Sequence, residues 1–173
     1  MSETLTLDLA GIVRESIVDG PGIRFVVFCQ GCPHNCEGCH NPATHEFGAG
    51  RETSVERILA EFDKDPLLDG ITLSGGEPFC QPKAMAAIAK GVKERGKTVF
   101  AFTGFTYEEL VKKAESGDGT QDLLDLCDMI VDGRFVLAER DLSLRFRGSR
   151  NQRILDMQKT REAGEPVLAE EYM

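Results

Sequence analysis

The sequence predicts an α/β protein with a mostly parallel sheet, because candidate strands alternate with candidate helices along the chain. This alternation is typical of βαβ units, whose crossover connections are right-handed. The 173 residues supply four or five such strands, whereas a complete β/α barrel needs roughly 250 residues. We therefore expect either an open doubly wound sheet or a partial barrel.

Two strands are predicted near the start of the chain. Residues 5–11 alternate apolar and polar side chains, as a half-buried strand does. Residues 22–29 form a β-branched and aromatic run that suits a buried strand. The segment VDGPG at residues 18–22 marks the turn between them.

The middle of the chain repeats a pattern of strands and helices, read from the spacing of apolar residues and from turn and cap signals. In chain order the predicted elements are a helix capped by Thr53 or Ser54 and ended by Pro66, a strand at 71–73, a helix between Pro82 and Gly96, a strand at 97–104, a helix capped by Thr106 and Glu109, one or two helical turns at 121–127, and a strand at 128–133. We assign residues 1–157 to one domain. Residues 158–173 are polar and are predicted to form a loose C-terminal tail.

Charge and hydropathy argue against two classes of partner. The net charge of −9 disfavours binding to nucleic-acid phosphates, which rests on Lys and Arg. No apolar run approaches the roughly 20 residues of a membrane span, so we expect no membrane partner and a cytoplasmic location. In a reducing cytosol, clustered cysteines bind metals or do redox chemistry more often than they form structural disulfides.

One segment departs from this acidic character. Residues 140–153 carry five arginines and one aspartate. Such a segment can face an acidic partner or a phosphate-bearing ligand, or it can be a solvated loop that balances an acidic remainder.

Four of the six cysteines lie in FCQGCPHNCEGCHNP, residues 28–42. Zinc sites usually join two ligand pairs across a loop of a dozen or more residues, but only three residues separate Cys32 from Cys36. Cys29 belongs to the preceding predicted strand, which favours a buried core thiol.

The other three cysteines are spaced CxxxCxxC, and their thiolates can bind three irons of a [4Fe–4S] cube. The fourth iron would then stay open, as a metal position in a catalytic site does. The ligands predicted in this way are Cys32, Cys36 and Cys39. A zinc loop with His34 or His40 as the fourth ligand remains an alternative on this spacing alone.

The segment LSGGEP, residues 73–78, follows a predicted strand at the edge where parallel α/β folds bind ligands. Gly75 and Gly76 let a ligand approach the backbone closely, and Glu77 offers an acceptor for a cationic group. An ordinary strand-to-helix turn would also explain the two glycines.

The CxxxCxxC motif followed by GGEP resembles the radical S-adenosylmethionine (SAM) superfamily. The segment SIVDGPGIRFVVFCQGCPHNCEGCHNP, residues 16–42, resembles the signature of glycyl-radical-enzyme activases in that superfamily. The resemblance covers roughly residues 12–156 and implies a partial β/α barrel of the radical SAM type.

The resemblance also implies a site and two cofactors, a [4Fe–4S] cluster and S-adenosylmethionine. The three cysteines named above would hold the cluster, and Gly75, Gly76 and Glu77 would hold the methionine end. Gly38 and His40 are expected to line the cofactor beside Cys39. Thr103 and Asp132, each at the end of a later predicted strand, are weaker candidates for contacting the rest of S-adenosylmethionine. Strand-end residues in turns are commonly structural.

The implied reaction is reductive cleavage of S-adenosylmethionine to a 5′-deoxyadenosyl radical, which takes a hydrogen from a backbone glycine of a partner enzyme. Flavodoxin or ferredoxin is the expected electron donor. No side chain is expected to act as a general acid or base, because the cofactors carry the chemistry.

The shortness of the chain, Gly38 before the third cysteine ligand, and the segments FTGFTYEEL, DMIVDGRF and RFRGSRNQRILD favour the branch of activases that act on anaerobic ribonucleotide reductase. His40 instead resembles the activases of pyruvate formate-lyase, so a different glycyl radical enzyme remains an alternative partner. A noncatalytic zinc-binding interaction module is the alternative from another class.

A glycyl loop must reach the radical, so the activase needs a docking face. The arginine-rich segment is predicted to supply it through charge-complementary contacts. The residues proposed for this face are Arg145, Arg147, Arg150 and Arg153.

Overall fold

The computed structural model describes residues 5–34, 36–39 and 42–173, and one seven-stranded sheet crosses its centre. The strands are β1 (Thr6–Ser16), β2 (Arg24–Cys29), β3 (Arg51–Ser54), β4 (Gly70–Gly75), β5 (Thr98–Phe102), β6 (Met129–Asp132) and β7 (Arg153–Asp156). Their order across the sheet is β3-β1-β2-β4-β5-β6-β7.

The centre of the sheet is parallel and its margins are antiparallel. Strands β2, β4, β5 and β6 run parallel to one another. Strand β1 pairs antiparallel with β2 and β3, and β7 pairs antiparallel with β6. The sheet is open, with β3 and β7 at its two edges. The predicted α/β class is confirmed, and an open sheet with a parallel centre is what a partial barrel requires.

In the described part of the chain, five α-helices accompany the sheet: α1 (Val55–Phe62), α2 (Pro82–Glu94), α3 (Tyr107–Ala114), α4 (Thr120–Leu126) and α5 (Met157–Ala163). The predicted caps are confirmed at two of them. Ser54 Oγ accepts a hydrogen bond from the Arg57 N–H at the start of α1. Thr106 and Glu109 form a reciprocal capping box at α3. Among the described residues, no helix combines the length and apolar character needed to cross a bilayer.

Side chains that alternate along the parallel strands enter two different cores. On one face, Phe25, Val27 and Cys29 of β2 pack beneath the helices with residues such as Ile88 of α2. On the other face, Phe100, Val131 and Ile154 pack against the segment that follows α5. This second face is therefore covered by connecting segments.

Arg24 fastens one of these segments to the second face. Its guanidinium is 1% exposed and donates to Thr72 Oγ1 (2.9 Å), Pro21 O (2.9 Å), Ile71 O (2.7 Å) and both oxygens of Thr98 (2.9 and 3.0 Å). Burial lowers the pKa of Arg24 to about 10. The bond to Pro21 holds the VDGPG turn against the starts of the parallel strands.

The C-terminal tail differs from the loose end that its composition predicts. Residues 157–163 form α5, and Leu168 makes a β-bridge to Leu155. Ala169 is 4% exposed in the second core, and the Tyr172 ring lies 5.5 Å from the Phe146 ring. The reason is that none of the five α-helices contributes to the second core among the described residues, so the few apolar residues of the tail gain stability by covering it.

Substitution of Ala169 by Asp tests whether the tail is part of the core. A carboxylate placed against Phe100 and Ile154 should lower the free energy of unfolding by about 3 kcal/mol, measured by urea denaturation. Ala163→Asp, at an exposed position of α5, is the matched control and should cost about 0.5 kcal/mol. Equal losses in the two variants would contradict the packed tail.

Candidate active site

The three predicted cluster ligands line one cavity. Cys32, Cys36 and Cys39 belong to the loop after β2, are half-buried, and border a cavity of about 120 Å³. Cys29, the last residue of β2, is fully buried in the helix-covered core. The predicted separation of Cys29 from the other three thiols is confirmed.

The opposite wall of this cavity comes from the carboxyl ends of the parallel strands, where α/β folds place their ligands. The lining residues contributed by these strand ends are Ser74, Gly75 and Gly76 at the end of β4, Phe102, Thr103 and Gly104 at the end of β5, and Val131 and Gly133 at the end of β6. The cysteine loop and the GGEP turn are therefore brought together as their order in the sequence indicates.

Backbone hydrogen bonds close the base of the cysteine loop. The Gly31 N–H donates to Thr44 O (2.6 Å), and the Cys32 N–H donates to His45 O (3.1 Å). The Gln30 side chain adds bonds to the carbonyls of Ala43 (2.9 Å) and Glu46 (2.7 Å). The chain thus leaves and rejoins the sheet at one place, which holds the three thiols on a short loop.

The donor set has the number of thiols that a three-ligand iron–sulfur cube uses, since three cysteines line one cavity. Within residues 5–34, 36–39 and 42–173, no three His, Cys, Asp or Glu side chains converge closely enough to hold one metal ion. A cube does not need such convergence, because each thiolate binds a different iron atom. His34, one of the alternative zinc ligands, is committed to Glu77 instead.

Glu77 lies at the centre of a buried hydrogen-bond network. Its carboxylate is 0% exposed and accepts bonds from the N–H of Phe79 (3.0 Å), the N–H of Gly104 (2.7 Å) and the Thr103 hydroxyl (2.9 and 3.0 Å). The His34 Nε2 atom lies 2.6 Å from Glu77 Oε1. Because an ionised carboxylate only accepts hydrogen bonds, His34 Nε2 is the donor. Glu77 therefore joins the cysteine loop, the GGEP turn and the end of β5.

The two glycines of GGEP are required by the protein's own backbone. A Cβ on Gly75, whose φ is +108°, would lie 2.4 Å from Cys29 N, and one on Gly76 would lie 2.4 Å from Gly31 O. The N–H of Gly76 donates to Cys29 O (2.8 Å), and the N–H of Glu77 donates to Gly31 O (2.8 Å). These two N–H groups thus bind the neighbouring strand end and the start of the cysteine loop, and they are not available to a ligand.

A carbonyl remains available at the same turn. Gly76 lines the cavity, and in the described part of the chain no hydrogen bond reaches its carbonyl oxygen. A carbonyl in this position is an acceptor for an ammonium group. This backbone group is an acceptor at the cavity wall, whereas the Glu77 carboxylate is fully buried.

The weaker site candidates have different surroundings. Thr103 lines the cavity, but its hydroxyl donates to Glu77 and accepts from the Phe105 N–H (3.1 Å). Asp132 is fully buried, pairs with Arg153, and accepts from the Tyr107 N–H (2.8 Å). Both side chains therefore hold strand ends together.

Gly38 and His40 complete the predicted set. Gly38 has a φ of +76°, and a Cβ there would lie 2.8 Å from Leu137, so it packs against the segment after β6 and does not line the cavity. His40 lies outside the residues that the structure describes.

Burial raises the pKa of four cysteines to different extents. It raises the pKa of Cys29 well above its ordinary value and that of Cys127 to about 12, so both remain thiols. Burial also raises the pKa of Cys32 and brings that of Cys80 to about 11. For all four, burial outweighs any neighbouring cation and favours the thiol. A bound metal would favour the thiolate of Cys32.

A larger cavity of about 670 Å³ adjoins the first. The two share the lining residues Cys39, Ser74, Gly75, Phe102, Phe135 and Gln152. The sequence reading did not select Phe135 or Gln152. The signal available was position, since Phe135 follows the strand at 128–133 and so comes to the same sheet edge as the glycines.

Comparison with known proteins supports an iron–sulfur site in this cavity. A family model described as a 4Fe-4S single cluster domain matches residues 18–155. The anaerobic ribonucleoside-triphosphate reductase-activating protein of Vibrio cholerae is 35% identical over 146 residues, which cover 79% of this chain and 89% of the relative. The Escherichia coli K12 protein of the same name is 34% identical over 145 residues, covering 79% and 90%.

Two further proteins are similar over smaller shares. The pyruvate formate-lyase-activating enzyme of Clostridium pasteurianum is 41% identical over 108 residues, 57% of this chain and 45% of the relative. The crystal structure of QueE from Escherichia coli superposes with a TM-score of 0.47 at 17% identity, over 58% of this chain and 53% of that one. At that score the superposition adds nothing to the assignment.

A parallel-centred open sheet, three thiols on one loop and relatives of this kind define a radical SAM enzyme. The chain belongs to the family of glycyl-radical-enzyme activating proteins, in the branch whose members are named anaerobic ribonucleoside-triphosphate reductase-activating proteins.

Replacing Glu77 tests the buried network. Glu77→Ala should lower the free energy of unfolding by about 4 kcal/mol, because it leaves buried donors without an acceptor. Glu77→Gln retains one acceptor oxygen and should cost about half as much. Urea unfolding of the anaerobically purified protein measures both. Glu37→Ala, at an exposed position of the cysteine loop, is the control, and an equal loss there would contradict the network.

Proposed function

We propose that the protein activates anaerobic ribonucleotide reductase by generating a glycyl radical on it, with a [4Fe–4S] cluster and S-adenosylmethionine as cofactors. The observation that carries the proposal is the single cavity lined by Cys32, Cys36, Cys39, Gly75 and Gly76 at the carboxyl edge of the parallel strands. The similarity to activating proteins of this reductase over about nine-tenths of their length supports the choice of partner.

The three cysteines are the residues that would hold the cluster. When bound, the cluster supplies the electron that cleaves S-adenosylmethionine to a 5′-deoxyadenosyl radical, which takes a hydrogen atom from a glycine of the reductase. Three protein ligands leave one iron for a non-protein ligand, as in catalytic metal sites. The chain itself contributes no general acid or base.

The chain's own residues bind and orient the ligand. The Gly76 carbonyl is the proposed acceptor for the methionine ammonium, and Glu77 acts indirectly by fixing the turn that presents it. Phe102 and Phe135, which border both cavities, would exclude water from a reactive radical. His40 remains a predicted neighbour of the cofactor, whereas Gly38 packs against Leu137 outside the cavity.

A second candidate partner is pyruvate formate-lyase. It is favoured by the 41% identity to the Clostridium pasteurianum enzyme and by His40 in the sequence CHNP. That match covers less than half of the relative, whereas the matches to the reductase activators cover nearly all of theirs. A flavodoxin or ferredoxin donor and a cytoplasmic location remain predictions from the sequence.

The decisive experiment is anaerobic reconstitution followed by metal, sulfide and product analysis. We expect about four irons and four acid-labile sulfides per chain, and 5′-deoxyadenosine after reduction with dithionite in the presence of S-adenosylmethionine. Electron paramagnetic resonance with each candidate enzyme should show a glycyl radical on the reductase. One zinc per chain and no sulfide would support the interaction module and overturn the proposal.

Alanine substitutions test which cysteines bind the cluster. Replacing Cys32, Cys36 or Cys39 should abolish both iron–sulfide incorporation and 5′-deoxyadenosine formation, because two protein ligands hold the cube poorly. Cys29→Ala and Cys127→Ala are matched controls at core thiols and should keep both. Loss of the cluster in Cys29→Ala with retained folding by circular dichroism would overturn the three-ligand assignment.

A further inference from the structure

Residues 140–150, here called the arginine loop, form a closed excursion between β6 and β7. Arg140 makes a β-bridge to Ser149, the Asp141 N–H donates to Gly148 O (3.2 Å), and the Arg150 N–H donates to Glu139 O (3.0 Å). This closure places Arg140 and Arg150 together at the base of the loop.

Three arginines of the loop are exposed and have no ion pair with any carboxylate in the described part of the chain: Arg140, Arg145 and Arg150. The only acid of the loop, Asp141, accepts bonds from the N–H and hydroxyl of Ser143. These bonds lower the pKa of the Asp141 carboxyl, and Arg150 is near enough to help lower it. The chain has 29 acidic residues and a net charge of −9, yet none of these three arginines forms an ion pair with a carboxylate in the described part of the chain.

Arg153 does not belong to the docking face that the sequence predicts. It lies on β7 and pairs with Asp132 and Glu108. These ion pairs raise the pKa of Arg153 and lower that of Glu108. Arg153 therefore ties β7 to β6 and α3 instead of meeting a partner.

The arginine loop borders the larger cavity. Leu142, Leu144, Phe146 and Arg147 line it from the loop, and Val18 lines it from the VDGPG side. Leu142 is 80% exposed and Val18 is 73% exposed. Exposed apolar side chains beside arginines, at the mouth of a cavity, are typical of a protein interface, where arginine is enriched and the buried centre is apolar.

Phe146 fixes the loop to the second core. It adopts a φ of +61°, which is rare for a residue other than glycine. Its ring packs between Phe100 (5.8 Å between centroids) and Tyr172 (5.5 Å). The Arg145 guanidinium lies 5.2 Å from the rings of Phe146 and Tyr172. The loop therefore presents its arginines from a packed aromatic base.

Arg147 has one half of its guanidinium hydrogen-bonded, whereas Nε of the other half is buried without a partner in the described chain. The bonded half donates from Nη1 to Gln152 O (3.0 Å). An arginine can bind a carboxylate through two parallel N–H donors, and Nε is one donor of such a pair. Because a buried donor without a partner is costly, a shift of this side chain that brings Nε to a carboxylate of a partner would be favoured.

We propose that the arginine loop is the docking surface for an acidic segment of the glycyl-radical partner, with Arg147 as the receptor for a partner carboxylate and Arg140 and Arg150 at the charged rim. The proposal rests on the proposed function, because it takes the partner to be the enzyme that receives the radical. The remainder of a chain with net charge −9 repels an acidic partner, so attraction at this loop would orient the two proteins with the cavity facing the partner.

The test compares two double variants that change the net charge equally. Arg140→Glu/Arg150→Glu reverses the rim, and Arg51→Glu/Arg57→Glu reverses two exposed arginines at the opposite edge of the sheet, on β3 and α1. The dissociation constant of each reconstituted variant for the intact anaerobic reductase is measured anaerobically by calorimetry. Uncoupled cleavage of S-adenosylmethionine by dithionite-reduced protein is measured in parallel.

The rim variant should bind the reductase at least about tenfold more weakly than the native protein, or about 1.4 kcal/mol. The control variant should bind within about twofold of the native protein. The difference should shrink in roughly 0.5 M salt, where exposed charges are screened. Both variants should cleave S-adenosylmethionine at the native rate.

Arg147→Lys keeps the charge and removes the planar donor pair. It should weaken reductase binding several-fold, and Arg147→Gln should weaken it further. Circular dichroism confirms folding in both.

Equal dissociation constants for the rim and control variants would overturn the docking surface. A second result would also overturn it: the native protein self-associates, and the rim substitutions abolish this self-association. The arginine loop would then bind a second copy of this protein instead of the reductase. Absence of cluster and of cleavage in the native protein would instead refute the proposed function, and the binding comparison would still decide the docking surface.

Discussion

The buried carboxylate of Glu77 is the interaction on which the site depends. A fully buried carboxylate is stable only when its oxygens accept several hydrogen bonds. Glu77 meets this requirement with donors from three separate segments: His34 of the cysteine loop, Phe79 of its own turn, and Thr103 and Gly104 at the end of β5. The same bonds that stabilise the charge therefore fix the distance between the thiols and the strand ends.

Gly75 and Gly76, which precede Glu77, also hold the GGEP turn next to the cysteine loop. Their lack of side chains lets the GGEP turn lie directly on the backbone of Cys29 and Gly31, to which it is hydrogen-bonded. The cysteine loop begins at that point. The motif is thus a connection within the protein as well as a wall of the cavity, and this double role explains why its residue types are so restricted.

The sequence predicted the helix-covered half of the molecule well. Strong periodicity and local caps specify β2, β4, β5 and the helices α1 to α3, because those signals act over a few residues. The three cysteines and the GGEP turn could also be placed at one sheet edge, since parallel strands end together.

The second face could not be predicted in this way. Strand β7 has four residues and the tail is largely polar, and both are ordered by long-range packing on Phe100 and Val131. The pairing of His34 with Glu77 and of Arg153 with Asp132 joins residues 43 and 21 positions apart. Residue type alone does not specify such partners, so His34 could be taken for a metal ligand and Arg153 for a docking residue.

Mössbauer spectroscopy of the ⁵⁷Fe-reconstituted protein tests the central claim most directly, namely that three cysteines hold a cube with one open iron beside the GGEP turn. The account predicts that roughly one iron in four changes its isomer shift when S-adenosylmethionine is added, while the other three do not. A spectrum with four indistinguishable irons that S-adenosylmethionine leaves unchanged would contradict it.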